Sequence, residues 1–303
     1  MSPAGKVSVL VWISAGVCCG ARCTTIADPA ILQAYESYVA TVEAGMPARF
    51  NAGELSWAPP TSAKAAVRQL VSGGCVRQNL SDESFNRRIA NRNGAVIHWI
   101  GAIRIPDTNL AELQSVLADF ESYPTFYRPM IFEACVNRDR REWNGVNELT
   151  LGLRSVYRFA SLFPQHYAFQ ARGSVEFDDC CDGDSSAVRI HLRATIIRES
   201  DSGVPGCNDF LPAYQDHGIM WGLNAYWRAR RLGRDVYLEF ETITLARSVQ
   251  VFACKIGMVP IPKSVIASAM DSLPAESVTV ILEGTKAECR RRAALKNGGV
   301  SSR

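Results

Sequence analysis

Residues 188–196 read Val188-Arg189-Ile190-His191-Leu192-Arg193-Ala194-Thr195-Ile196, with an apolar side chain at every second position and a polar one between most of them. A β-strand turns successive side chains to opposite faces, so this pattern predicts a strand with one covered and one wet face, as in an antiparallel sheet. The rule extends in both directions. In 167–177, Tyr167, Phe169, Ala171, Gly173, Val175 and Phe177 alternate with Gln170, Arg172, Ser174 and Glu176. In 149–159, Leu149, Leu151, Leu153, Ser155, Tyr157 and Phe159 oppose Thr150, Arg154 and Arg158. In 95–105, Ile97, Trp99, Gly101, Ile103 and Ile105 share a face. In 219–229 the shared face is Ile219, Trp221, Leu223, Ala225, Trp227 and Ala229, and 236–245 follows less cleanly. Strands of about ten residues are long, and twist accumulating along them curls a sheet.

Two helical segments complete the set. In 108–121, Leu110, Leu113, Leu117 and Phe120 recur on one face. In 274–291, Pro274 suits a first helical position, and Val278, Ile281, Leu282, Thr285 and Cys289 form a stripe. Lys286, Arg290, Arg291 and Arg292 crowd its last turns, where cations complement the helix dipole. The sheet's apolar face is best buried by laying this last helix across its concave side. The expected fold class is therefore α+β, a helix-grip fold with a curved antiparallel sheet wrapped around a long C-terminal helix. Ahead of it, 28–45 is predicted helical from Ile31, Leu32, Tyr35, Val39 and Val42, ending at Gly45-Met46-Pro47. Residues 51–62, with Pro59-Pro60, read as a linker. A second short helix, Ala65 to Leu70, breaks at Gly73-Gly74, and Ser81 to Asn93 reads as polar loop.

The chain has 303 residues, of which 47% are hydrophobic and 21% charged, so disordered, collagenous and coiled-coil classes are excluded. The net charge of +3 is too small to argue for nucleic acid without a concentrated patch. Lys6, the apolar run Val7 to Ile13 and the small residues Ser14, Ala15 and Gly16 predict a signal peptide, with cleavage after Ala21 or Ala27. An uncleaved N-terminal membrane anchor is the alternative. The expected organisation is 1–27 signal peptide, 28–93 helical extension and linker, 94–292 helix-grip domain and 293–303 disordered tail. Beyond the leader stand Cys75, Cys135, Cys180, Cys181, Cys207, Cys254 and Cys289, an odd number that leaves at least one unpaired within the chain.

No GxSxG, P-loop, GxGxxG or HExxH motif occurs, and the reading calls for no metal and no cofactor. His98 and His217 are polar candidates for the pocket or its rim. His217 follows Asp216, with Cys207 shortly before, and a turn capped by Asp216 is the plainer reading. His191, among arginines on a wet face, reads as exposed. Arg228, Arg230, Arg231 and Arg234 form a basic cluster around a hairpin at Gly233. Either solvent or anionic lipid headgroups can take it up.

Two stretches carry a family resemblance. Ile97-His98-Trp99-Ile100-Gly101-Ala102-Ile103-Arg104-Ile105-Pro106 resembles the opening strand of a group of secreted bacterial proteins in the START-like (SRPBCC, Bet v 1-like) superfamily, without that group's acidic residue between the His and the Trp. Asp216-His217-Gly218 followed by Trp221, Leu223, Asn224, Tyr226, Trp227 and Arg228 resembles the same group, as do residues 261–264 with Leu273-Pro274. The resemblance spans roughly residues 94–292 and implies a helix-grip fold around a hydrophobic cavity, but no particular reaction.

The expected function is binding of a hydrophobic small molecule, lipid- or fatty-acid-like, by a secreted or periplasmic protein. The small residues Gly101, Ala171, Gly173, Ala194 and Ala225 are expected to leave volume on the covered face. Expected ligand-binding residues are Trp99, Tyr157, Phe169, Phe177, Trp221 and Trp227 on the sheet and Val278, Ile281 and Leu282 on the helix, with plain core packing as the competing reading for each. A polyketide cyclase- or dehydratase-like enzyme, using His98, Tyr157 or His217 as proton donor or acceptor, is one alternative. A protein- or membrane-surface module using the basic hairpin is the other.

Overall fold

The computed structural model describes residues 27–90, 94–136, 147–159, 163–179, 187–200, 220–247 and 263–298. The predicted strands are all present: β2 (Gly94–Ile105), β4 (Asn147–Phe159), β5 (Phe163–Asp179), β6 (Ala187–Ser200), β7 (Met220–Leu232) and β8 (Asp235–Arg247). Two short strands, β1 (Val76–Asn79) and β3 (Ile131–Val136), add to the six expected and form the edges. The order is β1-β2-β8-β7-β6-β5-β4-β3, with every pair antiparallel.

Among the described residues, four short or medium helices and one long one accompany the sheet. These are α1 (Pro29–Asn51), α2 (Ala63–Val71), α3 (Glu83–Ile89), α4 (Leu110–Leu117) and α6 (Lys263–Gly298), with a single turn α5 (Tyr123–Phe126) between. Local sequence sets their starts. Asp28 accepts from the Ala30 amide with Pro29 at the first position of α1. Asp82 caps α3, and Asn109 with Glu112 makes a reciprocal capping box on α4. The α3 helix lies where a polar loop was expected.

Two prolines sit inside helices that were expected to stop or start at them. Helix α1 runs through Pro47 to Asn51 because Phe50 stacks on Tyr237 and Arg49 pairs with Glu241 beyond the proline. These tertiary contacts outweigh an interior proline's cost of about 3 kcal/mol. Helix α6 begins at Lys263, eleven residues before Pro274, and continues to Gly298, past the expected start of the tail.

Helix α6 touches β2 and β8 and also β4. From β2 to β4 the sheet order runs through five strand spacings, about 24 Å if the sheet were flat. One helix reaches both because the sheet curls around it, which is the expected helix-grip arrangement. On this concave side the main core joins Ile103 and Ile105 of β2, Leu238 and Phe240 of β8, Trp227 of β7, Ile190 of β6 and Val278, Ile281 and Leu282 of α6. Helices α4 and α5 seal its flank through Leu113, Leu117, Tyr123 and Tyr127.

Gly101 marks where α6 crosses β2. A Cβ there would lie 2.4 Å from Val278 Cγ1 and 2.9 Å from Leu282 Cδ1. The space that Gly101 was expected to leave open is filled by these two helix side chains.

The convex side is not wet along β2, β8 and β7. Ile31, Tyr35, Val39 and Met46 of α1 and Phe85 and Ile89 of α3 bury Val96, Tyr226, Ile243 and Leu245. Phe50, Leu55, Trp57 and Leu70 bury Ile100, Ala102 and Tyr237. Helices α1 and α3, with Phe50, Leu55, Trp57 and Leu70, thus form a strap across the back of the sheet.

Candidate functional site

Along the concave face, register arranges the side chains of β2, β8 and β7 in rows. Ile103, Leu238 and Ala229 form one row, and Gly101, Phe240 and Trp227 the next. Trp99, Thr242 and Ala225 follow, then Ile97, Thr244 and Leu223. Burial falls along this series. Ile103 and Leu238 are wholly enclosed, whereas Trp99, Ile97 and Thr244 are partly open to solvent. The face is therefore wholly enclosed toward the Gly233 hairpin and less buried toward the other end.

Trp227 packs on Phe240 with ring centroids 4.7 Å apart, and Trp99 borders the same core. The indole Nε1 atoms of both are buried and have no hydrogen-bond partner. A buried donor without an acceptor is costly, and the great majority in folded proteins are paired. Trp57 behaves in the ordinary way, its Nε1 donating to Glu239 Oε1 at 2.9 Å.

The structure divides the expected site residues between two faces. Trp99, Trp227, Val278, Ile281 and Leu282 come together on the concave side, with Val278 and Leu282 in the helix-crossing contact with Gly101. Trp221 does not join them. A register shift between Met220 and Gly222 interrupts the alternation of β7, and Trp221 packs with the α1 cluster on the convex side. His98 is also convex, 3% exposed beneath α1, and takes no part in the concave face. The side chains of Tyr157, Phe169 and Phe177, and the whole of His217, lie outside the described residues.

His98 belongs to a buried polar cluster that sequence reasoning missed. Glu241, fully buried, accepts from His98 Nε2 at 2.7 Å and pairs with Arg228 and Arg49. Glu239 accepts from Trp57, from the Tyr237 hydroxyl at 2.6 Å and from Arg228 Nε at 3.4 Å. In the neutral imidazole, Nε2–H donates to Glu241 and leaves Nδ1 to accept from the Tyr38 hydroxyl, 2.9 Å away. The two arginines then balance the two carboxylates.

Burial alone would push the Glu241 carboxyl up. The His98 hydrogen bond and the charges of Arg228 and Arg49 outweigh it and hold the group at about 2. Burial, with the nearby charges of Asp82 and Glu241, pushes the Tyr38 phenol up to about 12, so it stays protonated. Tyr38, His98 and Glu241 thus form a fixed chain from α1 through β2 to β8, and its chemistry is that of a clamp. Tyr35 ties α1 to the sheet separately, donating to the Ile243 carbonyl at 2.8 Å while accepting from Asn224 Nδ2 at 2.9 Å.

Other expectations change accordingly. His191 stacks on Tyr226 and contacts Asn224 Oδ1 at 3.0 Å, so it is half-buried. Of the basic hairpin cluster, Arg228 is a buried ion-pair partner and Arg230 lies 5.1 Å over both Phe50 and Tyr237. Arg231 and Arg234 remain exposed. Cys75 and Cys289 are free thiols and Cys135 is disulfide-bonded. No helix among the described residues is long and apolar enough to cross a membrane.

No protein-family model and no curated protein matches the chain. Among solved structures it is similar to the Zhui aromatase/cyclase of a Streptomyces species, at 13% identity, TM-score 0.43, covering 65% of this chain and 96% of that one. A START superfamily protein from Mycobacterium smegmatis gives 12% identity, TM-score 0.38, and 64% and 97% coverage. A STAR-related lipid transfer protein fragment from Xanthomonas axonopodis gives 11% identity, TM-score 0.40, and 71% and 98% coverage. These likenesses are of architecture alone.

Proposed function

We propose that this protein binds a hydrophobic small molecule between the concave face of its sheet and helix α6. The observation that carries the reading is the gradient along that face, sealed at Ile103 and Leu238 and partly open at Trp99, Ile97 and Thr244. An apolar wall reached from one end accepts an apolar chain lengthwise, and each buried CH₂ is worth about 0.8 kcal/mol. That gain offsets association costs of several kcal/mol once about ten carbons are enclosed. Export from the cytoplasm is part of the proposal. It is supported by the charged-then-apolar leader and by the disulfide at Cys135, a bond characteristic of oxidising compartments.

The test is native mass spectrometry of detergent-free protein exposed to a lipid extract. A defined added mass, released by organic solvent as one compound class, is the expected result. A folded sample that takes up nothing would sink the binding reading. The mass of the exported species tests the leader, with cleavage expected after Ala21 or Ala27.

A further inference from the structure

We infer that the ligand is a neutral compound carrying a carbonyl or ether oxygen within its apolar body, an ester or a ketone rather than a free acid or a pure hydrocarbon. The inference rests on the binding reading above and deepens it. The Trp227 side chain is on the sealed side of the open end, 6% exposed, and Trp99 stands one row nearer the opening. Each presents an N–H with no acceptor: Phe240, Ala225 and Val278 offer none from their side chains, and the Thr242 hydroxyl opposite Trp99 does not engage it. These donors call for an oxygen brought in by the ligand.

The sign of the charge follows from the same rows. Ile97, Trp99, Gly101, Ile103, Leu223, Ala225, Ala229 and the β8 positions from Leu238 to Thr244 on this face carry no ionisable side chain. Of the cations near these strands, Arg49 and Arg228 are committed to Glu239 and Glu241 on the opposite face, Arg104 to Asp235, Arg230 lies over Phe50 and Tyr237, and Arg231 is exposed at the Gly233 hairpin. Among the described residues on the face, a carboxylate buried between the indoles meets no counter-charge, which is strongly unfavourable. A neutral oxygen takes up the donors without that cost. One satisfied donor is worth about a tenfold gain in affinity over an apolar group of the same shape.

The test compares methyl palmitate, palmitate at alkaline pH and hexadecane against the full chain, with isotope-labelled indole nitrogens read by NMR. The ester is expected to bind about tenfold or more tightly than the alkane and more tightly than the carboxylate. The Trp99 and Trp227 indole signals should move with the ester and not with the alkane. The Trp57 indole, engaged by Glu239, should stay in place. Trp227→Phe keeps a ring and removes one of the two donors, so it should reduce the preference for ester over alkane while both still bind, and adding Trp99→Phe should abolish it. The NMR readout needs no variant. Equal binding of ester and alkane with unmoved indole signals would overturn the inference and leave the apolar site standing. Tighter binding of palmitate would overturn the neutral assignment. Failure of all three to bind would overturn the underlying reading, and the inference with it.

Discussion

Gly101→Ala tests the helix grip at its closest point. The new Cβ would lie 2.4 Å from Val278 Cγ1, 2.9 Å from Leu282 Cδ1 and 3.0 Å from the Val76 carbonyl. Comfortable carbon–carbon separation is about 3.5–4.0 Å, so the first contact is short by more than an ångström. The helix has to lift or Val278 has to leave its rotamer, and the backbone of the paired strand β1 blocks retreat the other way. Overpacking of this kind costs about 1–3 kcal/mol. At about 2 °C per kcal/mol for a chain of this size, the melting temperature should fall by about 2–6 °C. Urea denaturation should show the same loss as a lower midpoint at unchanged slope. The decisive measurement is the cycle with Val278→Ala. That change alone should destabilise by removing buried methyl groups. In the Gly101→Ala background it also removes the clashing Cγ1, so the double variant should be more stable than the sum of the singles by about 1 kcal/mol or more. Strict additivity, or a Gly101→Ala variant as stable as the parent, would refute the close crossing.

Glu241→Gln should destabilise by about 3–5 kcal/mol, because Arg49 and Arg228 keep their buried charges and lose the carboxylate, and urea midpoints measure it. The pH dependence has a definite sign. Glu241 is held at about 2, below the ordinary 4.5, so its contribution is full above about 4.5 and is lost as pH falls toward 2. Urea midpoints between these values should fall more steeply for the parent than for Glu241→Gln, and parallel curves would count against the assignment. Tyr38→Phe should cost about 1 kcal/mol through the lost bond to His98 and leave ligand affinity untouched, since the clamp faces away from the concave site. A calorimetric titration showing weakened binding would contradict that separation. The Cys75 thiol, pushed up by burial and the Glu283 charge to about 11, should react with maleimide well below the rate of an unhindered peptide cysteine at neutral pH.

The long strands were legible because alternation of side chains is a local signal. The expected span 95–105 differs from β2 by one residue at one end, and all six long strands were found. What failed to show in the sequence was non-local. Glu239 and Glu241 make 236–245 look irregular, because its second face is buried against Arg49 and Trp57, some 180 to 190 residues away in the chain. Trp221 was assigned to the wrong face because a bulge depends on hydrogen-bond register, to which composition is blind. His98 lies in a correctly predicted strand, on the face opposite Trp99, so its exclusion from the concave site was already implicit in the period of two. Pro47 and Pro274 misled at helix ends for a related reason, since contacts beyond Pro47 restore what the proline removes locally.

The strap has a consequence for the order in which the chain folds. Tyr35 and its acceptor Ile243 are separated by 208 residues, and Arg49 and Glu241 by 192. Helix α1 is synthesised among the first elements and cannot dock until β8 exists and has paired with β2 and β7. Closing so long a loop adds little to the equilibrium cost, since each doubling of length costs only about 0.6 kcal/mol. Its weight falls on the rate, because distant pairings form slowly. Until docking occurs, Arg228, Glu239 and Glu241 stay hydrated on an open sheet face, and docking itself expels that water. The strap therefore acts as a latch on completion, and only a chain finished through its last strand can close it.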